Sequence, residues 1–176
     1  MMLGDKAPSF SLPGVDGKTH TIESVKGAKA AIVVFSCNHC PYVLMNEDRL
    51  ISVCKDYAAK GVGMAAINSN DAVRYPDDSF ENMKARASAR GFPFPYLHDA
   101  SQTVARAYGA THTPHLFVFD QDLRLAYTGS VDDDNNYQTR KKAEKPYLRD
   151  ALDDLIANHP VRLPETRAIG CTIKWK

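Results

Sequence analysis

Two short apolar segments with one amphipathic segment between them constrain the fold most strongly. Residues 30–35 are continuously apolar and rich in β-branched side chains, and residues 62–67 are nearly so, as in strands buried on both faces. Between them, apolar residues recur at helical spacing until Gly61: Val43, Leu44, Leu50, Ile51, Cys54, Tyr57 and Ala58. Because parallel strands need a crossover of about this length, the three segments predict a βαβ unit.

The remaining patterns extend this unit to a single α/β domain over residues 1–176. Helical patterns are predicted at residues 79–90, 101–108 and 147–158, an antiparallel strand pair at 115–119 and 123–128, and a short hairpin within 10–22. We therefore expect a mixed central β-sheet flanked by helices, with an N-terminal β-hairpin. Residues 159–176 contain Pro160 and Pro164 and are predicted to form an extended C-terminal tail that docks on the domain.

The charge balance excludes several classes of partner. The 22 lysines and arginines against 21 acidic residues leave a net charge of +1, which predicts no binding to nucleic acid or to an anionic membrane. The longest purely apolar run, residues 30–35, is far shorter than the roughly 20 residues of a membrane span. The N-terminal sequence lacks the pattern of a signal peptide. We expect a soluble, cytoplasmic protein.

The motif Cys37-Asn38-His39-Cys40 directly follows the first predicted strand. Two closely spaced cysteines in a cytoplasmic protein indicate either a redox dithiol or half of a metal site. A zinc site needs two more thiolates or imidazoles, and the sequence has no second closely spaced Cys/His pair of the zinc-finger type. We therefore favour the dithiol, with no metal and no cofactor, and keep a zinc-holding site as an alternative.

The predicted strand–motif–helix order suggests a role for each motif residue. A cysteine at the first turn of a helix meets unpaired N–H groups and the positive end of the helix dipole, and both favour its thiolate. Cys37 is expected there as the nucleophile, with Cys40 one turn later as the resolving thiol. Asn38 and His39 are expected to tune the pKa and the potential, since a protonated His39 favours thiolate over disulfide.

The other two cysteines lie far along the chain. Cys54 follows Cys40 by about 21 Å on the same predicted helix and falls within its apolar stripe, which predicts a structural thiol. Cys171 has two interpretations. It is a third redox thiol delivered by a folded-back tail, or it is a packing residue, which we slightly favour.

Several motifs together resemble the thioredoxin superfamily. Beyond the Cys-x-x-Cys, these are Thr113-Pro114 directly before a strand and Gly129 after the next strand. Three further segments resemble its redoxin branch, which comprises alkyl hydroperoxide reductase, thiol-specific antioxidant and peroxiredoxin-like proteins: residues 4–10, 14–17 and 95–99. The resemblance covers residues 1–158, and residues 170–176 are similar to the ending of peroxiredoxin-like proteins.

This resemblance implies a thioredoxin-like fold and a thiol–disulfide oxidoreductase. Thr113-Pro114 is then the cis-proline loop beside the dithiol, and the backbone of Thr113 pairs with a substrate peptide. The implied partners are protein or small-molecule disulfides and a thiol electron donor. Thioredoxins proper usually carry Trp before the first cysteine and a buried acid six residues ahead of it, where this chain has Ser36 and Ala31.

The resemblance leaves a peroxidase as an alternative. Peroxiredoxins carry Pro-x-x-x-Thr/Ser-x-x-Cys around the cysteine that attacks peroxide. Counted back from Cys40, the Thr/Ser position holds Cys37 and the Pro position holds Val33. Peroxide reduction would oxidise Cys37 or Cys40 to a sulfenic acid that the other cysteine resolves. A non-catalytic binding module of the same fold that holds zinc is the remaining alternative.

Overall fold

The computed structural model describes residues 1–176, which form a five-stranded mixed sheet with helices on both faces. The strands are β1 (Ser11–Pro13), β2 (Thr19–Thr21), β3 (Ala30–Ser36), β4 (Val62–Asn68), β5 (Tyr96–His98), β6 (His112–Thr113), β7 (His115–Asp120), β8 (Leu125–Gly129) and β9 (Cys171–Thr172). The helices are α1 (Ile22–Val25), α2 (Pro41–Ala58), α3 (Phe80–Arg90), α4 (Thr103–Tyr108) and α5 (Tyr147–Ile156).

Strand β3 lies at the centre of the sheet, whose order is β5-β4-β3-β7-β8. It pairs in parallel with β4 and antiparallel with β7, and all seven of its residues are buried. Its side chains alternate between two cores. Ile32 and Val34 join the core that contains Leu50 of α2, whereas Val33 and Phe35 join the opposite core. The predicted α/β fold with a mixed central sheet flanked by helices is confirmed.

The N-terminal hairpin is also confirmed, because β1 and β2 pair antiparallel around the turn at residues 14–18. Strand β5 was not predicted and lies at one edge of the sheet, parallel to β4. Strand β8 begins at Leu125, later than expected, because Leu123 has a φ of 58° and belongs to the turn. None of the five helices combines the length and the apolar character that a membrane span requires.

The last residues of the chain pack across one end of the sheet. Strand β9 pairs antiparallel with β6, which places Cys171 opposite Thr113. Beyond it, Ile173 is buried in the second core. The ring of Trp175 lies 4.5 Å from the Arg106 guanidinium, within the range of a cation–π contact. The tail is therefore attached by a strand, by core packing and by an aromatic contact.

We predict that Leu152→Ala lowers the free energy of unfolding by about 2–5 kcal/mol, because Leu152 of α5 is fully buried and its truncation leaves a cavity. Leu163→Ala is the matched control, since Leu163 is half exposed, and it should change stability by no more than about 0.5 kcal/mol. Denaturant unfolding checks both. Equal losses from the two variants would contradict the assignment of the core.

Candidate active site

The dithiol lies where β3 ends and α2 begins. Pro41 is the first residue of α2 and Cys40 is its N-cap, with φ −64° and ψ 128°. Proline suits the first helical position because its φ is preset and it has no N–H to satisfy, and it holds the residue before it in extended backbone. The expectation that Cys37 lies in the first helical turn is therefore wrong: Cys37 is in the loop before the helix.

Three thiols and one threonine converge at this point. The side chains of Cys37 and Cys40 pack together in one small buried cluster. The Cys37 Sγ lies 3.6 Å from Thr113 Oγ1, and the Cys40 Sγ lies 3.5 Å from the Thr113 carbonyl oxygen. The Cys171 Sγ lies 2.6 Å from the Cys40 Sγ. Cys54 is not part of the site, since its sulfur faces the Pro93 carbonyl, 4.0 Å away.

The surroundings of the two motif thiols favour a thiolate on Cys40. A hydrogen bond from Cys37 lowers the pKa of Cys40 to about 4, and further donors are the Cys171 thiol and the backbone N–H of Val43 at the start of α2. The hydrogen bond to Cys40, burial and the nearby Asp78 carboxyl group raise the pKa of Cys37 far above its usual value. The Val43 N–H at the start of α2 thus helps to lower the pKa of Cys40, whereas the Asp78 carboxyl group helps to raise the pKa of Cys37.

Asp78 belongs to a buried network that holds the motif loop. Its side chain is fully buried. It accepts hydrogen bonds from the Asn38 backbone N–H at 2.8 Å and from the side-chain amides of Asn68 and Asn70 at 3.1 and 3.0 Å. Residues 68–78 are rich in Asn and Asp, and no local pattern in them connects Asp78 with the dithiol. This loop reaches the motif because β4, which precedes the loop, ends beside the end of β3.

The two residues between the cysteines differ in their surroundings. Asn38 is buried, where its Oδ1 accepts a hydrogen bond from the Tyr96 hydroxyl at 2.8 Å and its amide donates to the Asp77 carbonyl. These contacts hold the loop in place. His39 is exposed and its Nδ1 lies 3.4 Å from Asp78 Oδ2. Their expected effect on the thiol potential stays a prediction.

The Thr113-Pro114 peptide bond is cis, as the sequence resemblance implied. Thr113 is buried and contacts both motif sulfurs. Its strand β6 is already paired, because β9 brings Cys171 to the position opposite Thr113. The loop that was expected to meet a substrate peptide is thus covered by the chain's own C-terminal strand.

No group of three or more His, Cys, Asp or Glu side chains is arranged so that it could hold a metal ion. The motif histidine, His39, is directed to the buried Asp78. The structure therefore lends no support to the hypothesis of a zinc-holding module.

We predict that one thiolate is present at pH 7 and disappears as the pH falls through about 4, because that is the pKa of Cys40. Thiolate absorbance in the ultraviolet measures this transition. Cys40→Ser should remove it and Cys54→Ser should not. A transition only near the usual thiol value of about 8.5 would contradict the assignment.

The same pKa shift predicts a pH-dependent stability. The folded-state pKa of Cys40 lies below the unfolded value, so its thiolate stabilises the folded state fully above about pH 8.5. This contribution is lost as the pH falls through about 4. The stability advantage of the wild type over Cys40→Ser should therefore shrink over that interval, as measured by denaturant unfolding. An advantage independent of pH would contradict the shift.

Curated relatives of this chain include two kinds of redox protein. A Mycobacterium tuberculosis protein named as a candidate peroxiredoxin is 25% identical over 131 residues, which is 74% of this chain and 78% of the relative. The thiol-disulfide oxidoreductase ResA of Bacillus anthracis is 26% identical over 131 residues, covering 71% of this chain and 68% of the relative. The chain is thus similar to oxidoreductases that act through thiols.

Solved structures show a close likeness over the whole chain. An uncharacterized conserved protein of Geobacillus kaustophilus has 45% identity and a TM-score of 0.91, covering 99% of this chain and 93% of that one. Protein SMc02350 of Sinorhizobium meliloti has 39% identity and a TM-score of 0.95, covering 100% and 96%. Peroxidoxin BcpB of Mycobacterium tuberculosis, at 20% identity and a TM-score of 0.67 over 89% and 97%, shares the fold.

These likenesses confirm the predicted thioredoxin-like fold. The family model described as Redoxin matches residues 2–146, which include the dithiol motif and the cis-proline loop. The chain therefore belongs to the Redoxin family.

Proposed function

We propose that the protein is a thiol–disulfide oxidoreductase in which Cys40 attacks the substrate disulfide and Cys37 resolves the product. The observation that carries this proposal is the position of the Cys40 side chain, which belongs to the N-cap residue of α2 and packs against the Cys37 thiol. A stabilised thiolate with a second thiol in contact is the minimum that disulfide exchange requires.

The reaction takes place in two exchanges. The Cys40 thiolate attacks one sulfur of the substrate disulfide, so that a mixed disulfide forms and the other half leaves as a thiolate. Cys37 then attacks the Cys40 sulfur, its proton passes to the second leaving thiolate, and a Cys37–Cys40 disulfide remains. Two electrons have moved from the protein to the substrate. A thiol donor returns the protein to its reduced form.

This assignment reverses the order expected from the sequence. The strand–motif–helix order predicts Cys37 at the helix N-terminus, whereas Pro41 gives that position to Cys40. The proximity of Asp78 adds to the difference, since its carboxyl group opposes ionisation of Cys37. The same physical rule therefore favours the second cysteine of the motif as the attacking thiol.

The remaining expectations from the sequence fit into this proposal. Thr113-Pro114 lines the site, supported by the contacts of Thr113 with both sulfurs, while β9 pairs with the strand that was expected to meet a substrate peptide. His39 and Asn38 tune the potential through the loop that Asp78 holds. The proposed substrates are protein or small-molecule disulfides, and the proposed location is the cytoplasm.

We predict that replacing Cys37 and replacing Cys40 have different effects on disulfide exchange in a Cys171→Ser background. This background removes the C-terminal thiol that contacts Cys40. The probe is oxidised glutathione, and mass spectrometry measures the adducts. Cys40→Ser should slow the reaction at least about 100-fold, because the remaining thiols are mostly protonated at neutral pH. Cys37→Ser should leave the first step intact and trap glutathione on Cys40.

Cys54→Ser in the same background is the matched control and should react like the parent. The opposite result, in which Cys40→Ser traps glutathione on Cys37 and Cys37→Ser is inert, would restore the order expected from the sequence. If neither motif cysteine took up glutathione, the proposed function would be wrong.

A second candidate function is reduction of peroxides, which is favoured by the Cys40 thiolate and by the relative named as a candidate peroxiredoxin. Cys40 would attack the peroxide and become a sulfenic acid while an alcohol or water leaves. Cys37 would then condense with it to a disulfide and release water. The positions that carry Thr/Ser and Pro in peroxiredoxins hold Cys37 and Val33 here, which weighs against this activity.

We predict that the reduced protein consumes hydrogen peroxide within about tenfold of the rate of a free thiolate, because the site lacks the motif hydroxyl that would activate the peroxide. Mass spectrometry of Cys37 and Cys40 after timed exposure measures this rate, with Cys40→Ser as the control. A rate thousands of times higher than that of a free thiolate would contradict this prediction and show that the protein is a peroxidase.

A further inference from the structure

The C-terminal strand lies directly on the dithiol site. In the β6–β9 pairing, Thr113 is opposite Cys171 and His112 is opposite Thr172. The approach of the two backbones depends on Gly170, because a Cβ there would lie 2.1 Å from the Thr113 carbonyl oxygen. A glycine is thus required immediately before the cysteine for this pairing to form.

The pairing brings two sulfurs together. The Sγ atoms of Cys40 and Cys171 are 2.6 Å apart, only about 0.6 Å more than the length of an S–S bond. Both cysteines lie in regular backbone, one as the N-cap of α2 and the other in β9. A disulfide between them needs only a small movement of the sulfurs.

Contacts beyond the cysteine hold the strand in place. The Ile173 N–H donates to the Thr111 carbonyl at 3.0 Å. The Lys174 N–H donates to Asn70 Oδ1 at 2.9 Å, and the Lys174 carbonyl accepts from the buried Gln102 side chain at 2.8 Å. The loop after β4 and the start of α4 both bind this segment, so Cys171 is held at Cys40 from two sides.

Cys171 also differs from the two motif cysteines in access and acidity. It is partly exposed, whereas Cys37 and Cys40 are almost completely buried. Burial, followed by the hydrogen bond to Cys40, raises the pKa of Cys171 to about 11. Of the two thiols beside Cys40, Cys171 is therefore easier for another molecule to reach.

We propose that Cys171 is a third redox thiol of the site, which resolves the mixed disulfide on Cys40 first, before Cys37 exchanges into the new Cys40–Cys171 disulfide. This inference rests on the proposed function, since it takes Cys40 as the attacking thiol. It assigns a redox step to the C-terminal strand, which then becomes covalently attached to the start of α2.

The proposed step balances in atoms and electrons. The Cys171 sulfur attacks the Cys40 sulfur of the mixed disulfide, a Cys40–Cys171 bond forms, and the bond from Cys40 to the substrate sulfur breaks. The departing thiolate takes the proton that Cys171 loses. Over the full reaction, the two protein thiols supply two electrons and the substrate disulfide becomes two thiols. A later attack by Cys37 on Cys40 exchanges the disulfide within the protein and releases Cys171 as a thiol.

We test this step in the full chain with Cys37→Ser, using one equivalent of oxidised glutathione, acid quenching and non-reducing peptide mapping. The expected product is a peptide pair linked by Cys40–Cys171, with little glutathione retained. In Cys37→Ser/Cys171→Ser, glutathione should stay on Cys40 at least about ten times longer. Equal retention in the two proteins would overturn the proposal.

A second variant tests the delivery of Cys171 without removing any further thiol. Gly170→Ala added to Cys37→Ser places a methyl group against the Thr113 carbonyl, so the linked product should form at least about ten times more slowly while glutathione accumulates on Cys40. Leu163→Ala, at a half-exposed position in the same tail, is the matched control. An unchanged rate in a Gly170→Ala protein would also overturn the proposal.

The two proposals fail in different ways. If glutathione reacts with Cys40 in both Cys37→Ser and Cys37→Ser/Cys171→Ser but never gives the linked product, only the role of Cys171 is wrong. If Cys40 takes up no glutathione in either protein, the proposed function fails and the role of Cys171 fails with it.

Discussion

The start of α2 at Pro41 is the constraint on which the chemistry of this protein depends. Proline favours the first helical position and holds Cys40 in extended backbone as the N-cap. The backbone N–H of Val43 at the start of α2 then helps to lower the pKa of Cys40, after the larger effect of Cys37. A start three residues earlier would place Cys37 there and exchange the electrostatic surroundings of the two thiols. Pro41, a residue outside the Cys-x-x-Cys, thus adds to the difference between the two thiols.

The rest of the site maintains this asymmetry. The Asp78 carboxyl group is held by Asn38, Asn68 and Asn70 on the Cys37 side, where it opposes a second thiolate. On the other side, the Cys171 sulfur lies 2.6 Å from the Cys40 sulfur, and this contact lowers the pKa of Cys40. The motif therefore lies between a buried acid and a third thiol. The central sheet makes this possible because β3 and β4 end side by side.

Local patterns in the sequence predicted the framework well. The apolar runs and the helical spacing located β3, α2 and β4, and Thr113-Pro114 located the loop beside the dithiol. The strand–motif–helix order predicts that α2 begins at the motif and places Cys37 in its first turn. The preference of proline for the first helical position instead makes Pro41 the first residue of α2. The role of Asp78 depends on a loop returning to the motif, which no local pattern describes.

The position of the C-terminal strand is likewise not described by any local pattern in the sequence. β9 has two residues, too few for any periodicity, and its partner β6 is far away in sequence. Pro160 and Pro164 indicate a docked tail, yet they do not show where it docks, and the sequence slightly favours packing as the role of Cys171. Gly170 was the available signal, since a glycine directly before a cysteine permits a close backbone approach.

We expect Cys40, rather than Cys37, to carry the negative charge of the reduced protein. The most direct measurement is an NMR titration of the Cβ resonances of labelled cysteines in the wild-type protein, which reports each thiol separately without substitution. We expect the Cβ resonance of Cys40 to titrate near pH 4 and that of Cys37 to show a protonated thiol throughout the neutral range. Titration of Cys37 at the lower pH, with Cys40 protonated, would contradict the assignment of the thiolate to Cys40.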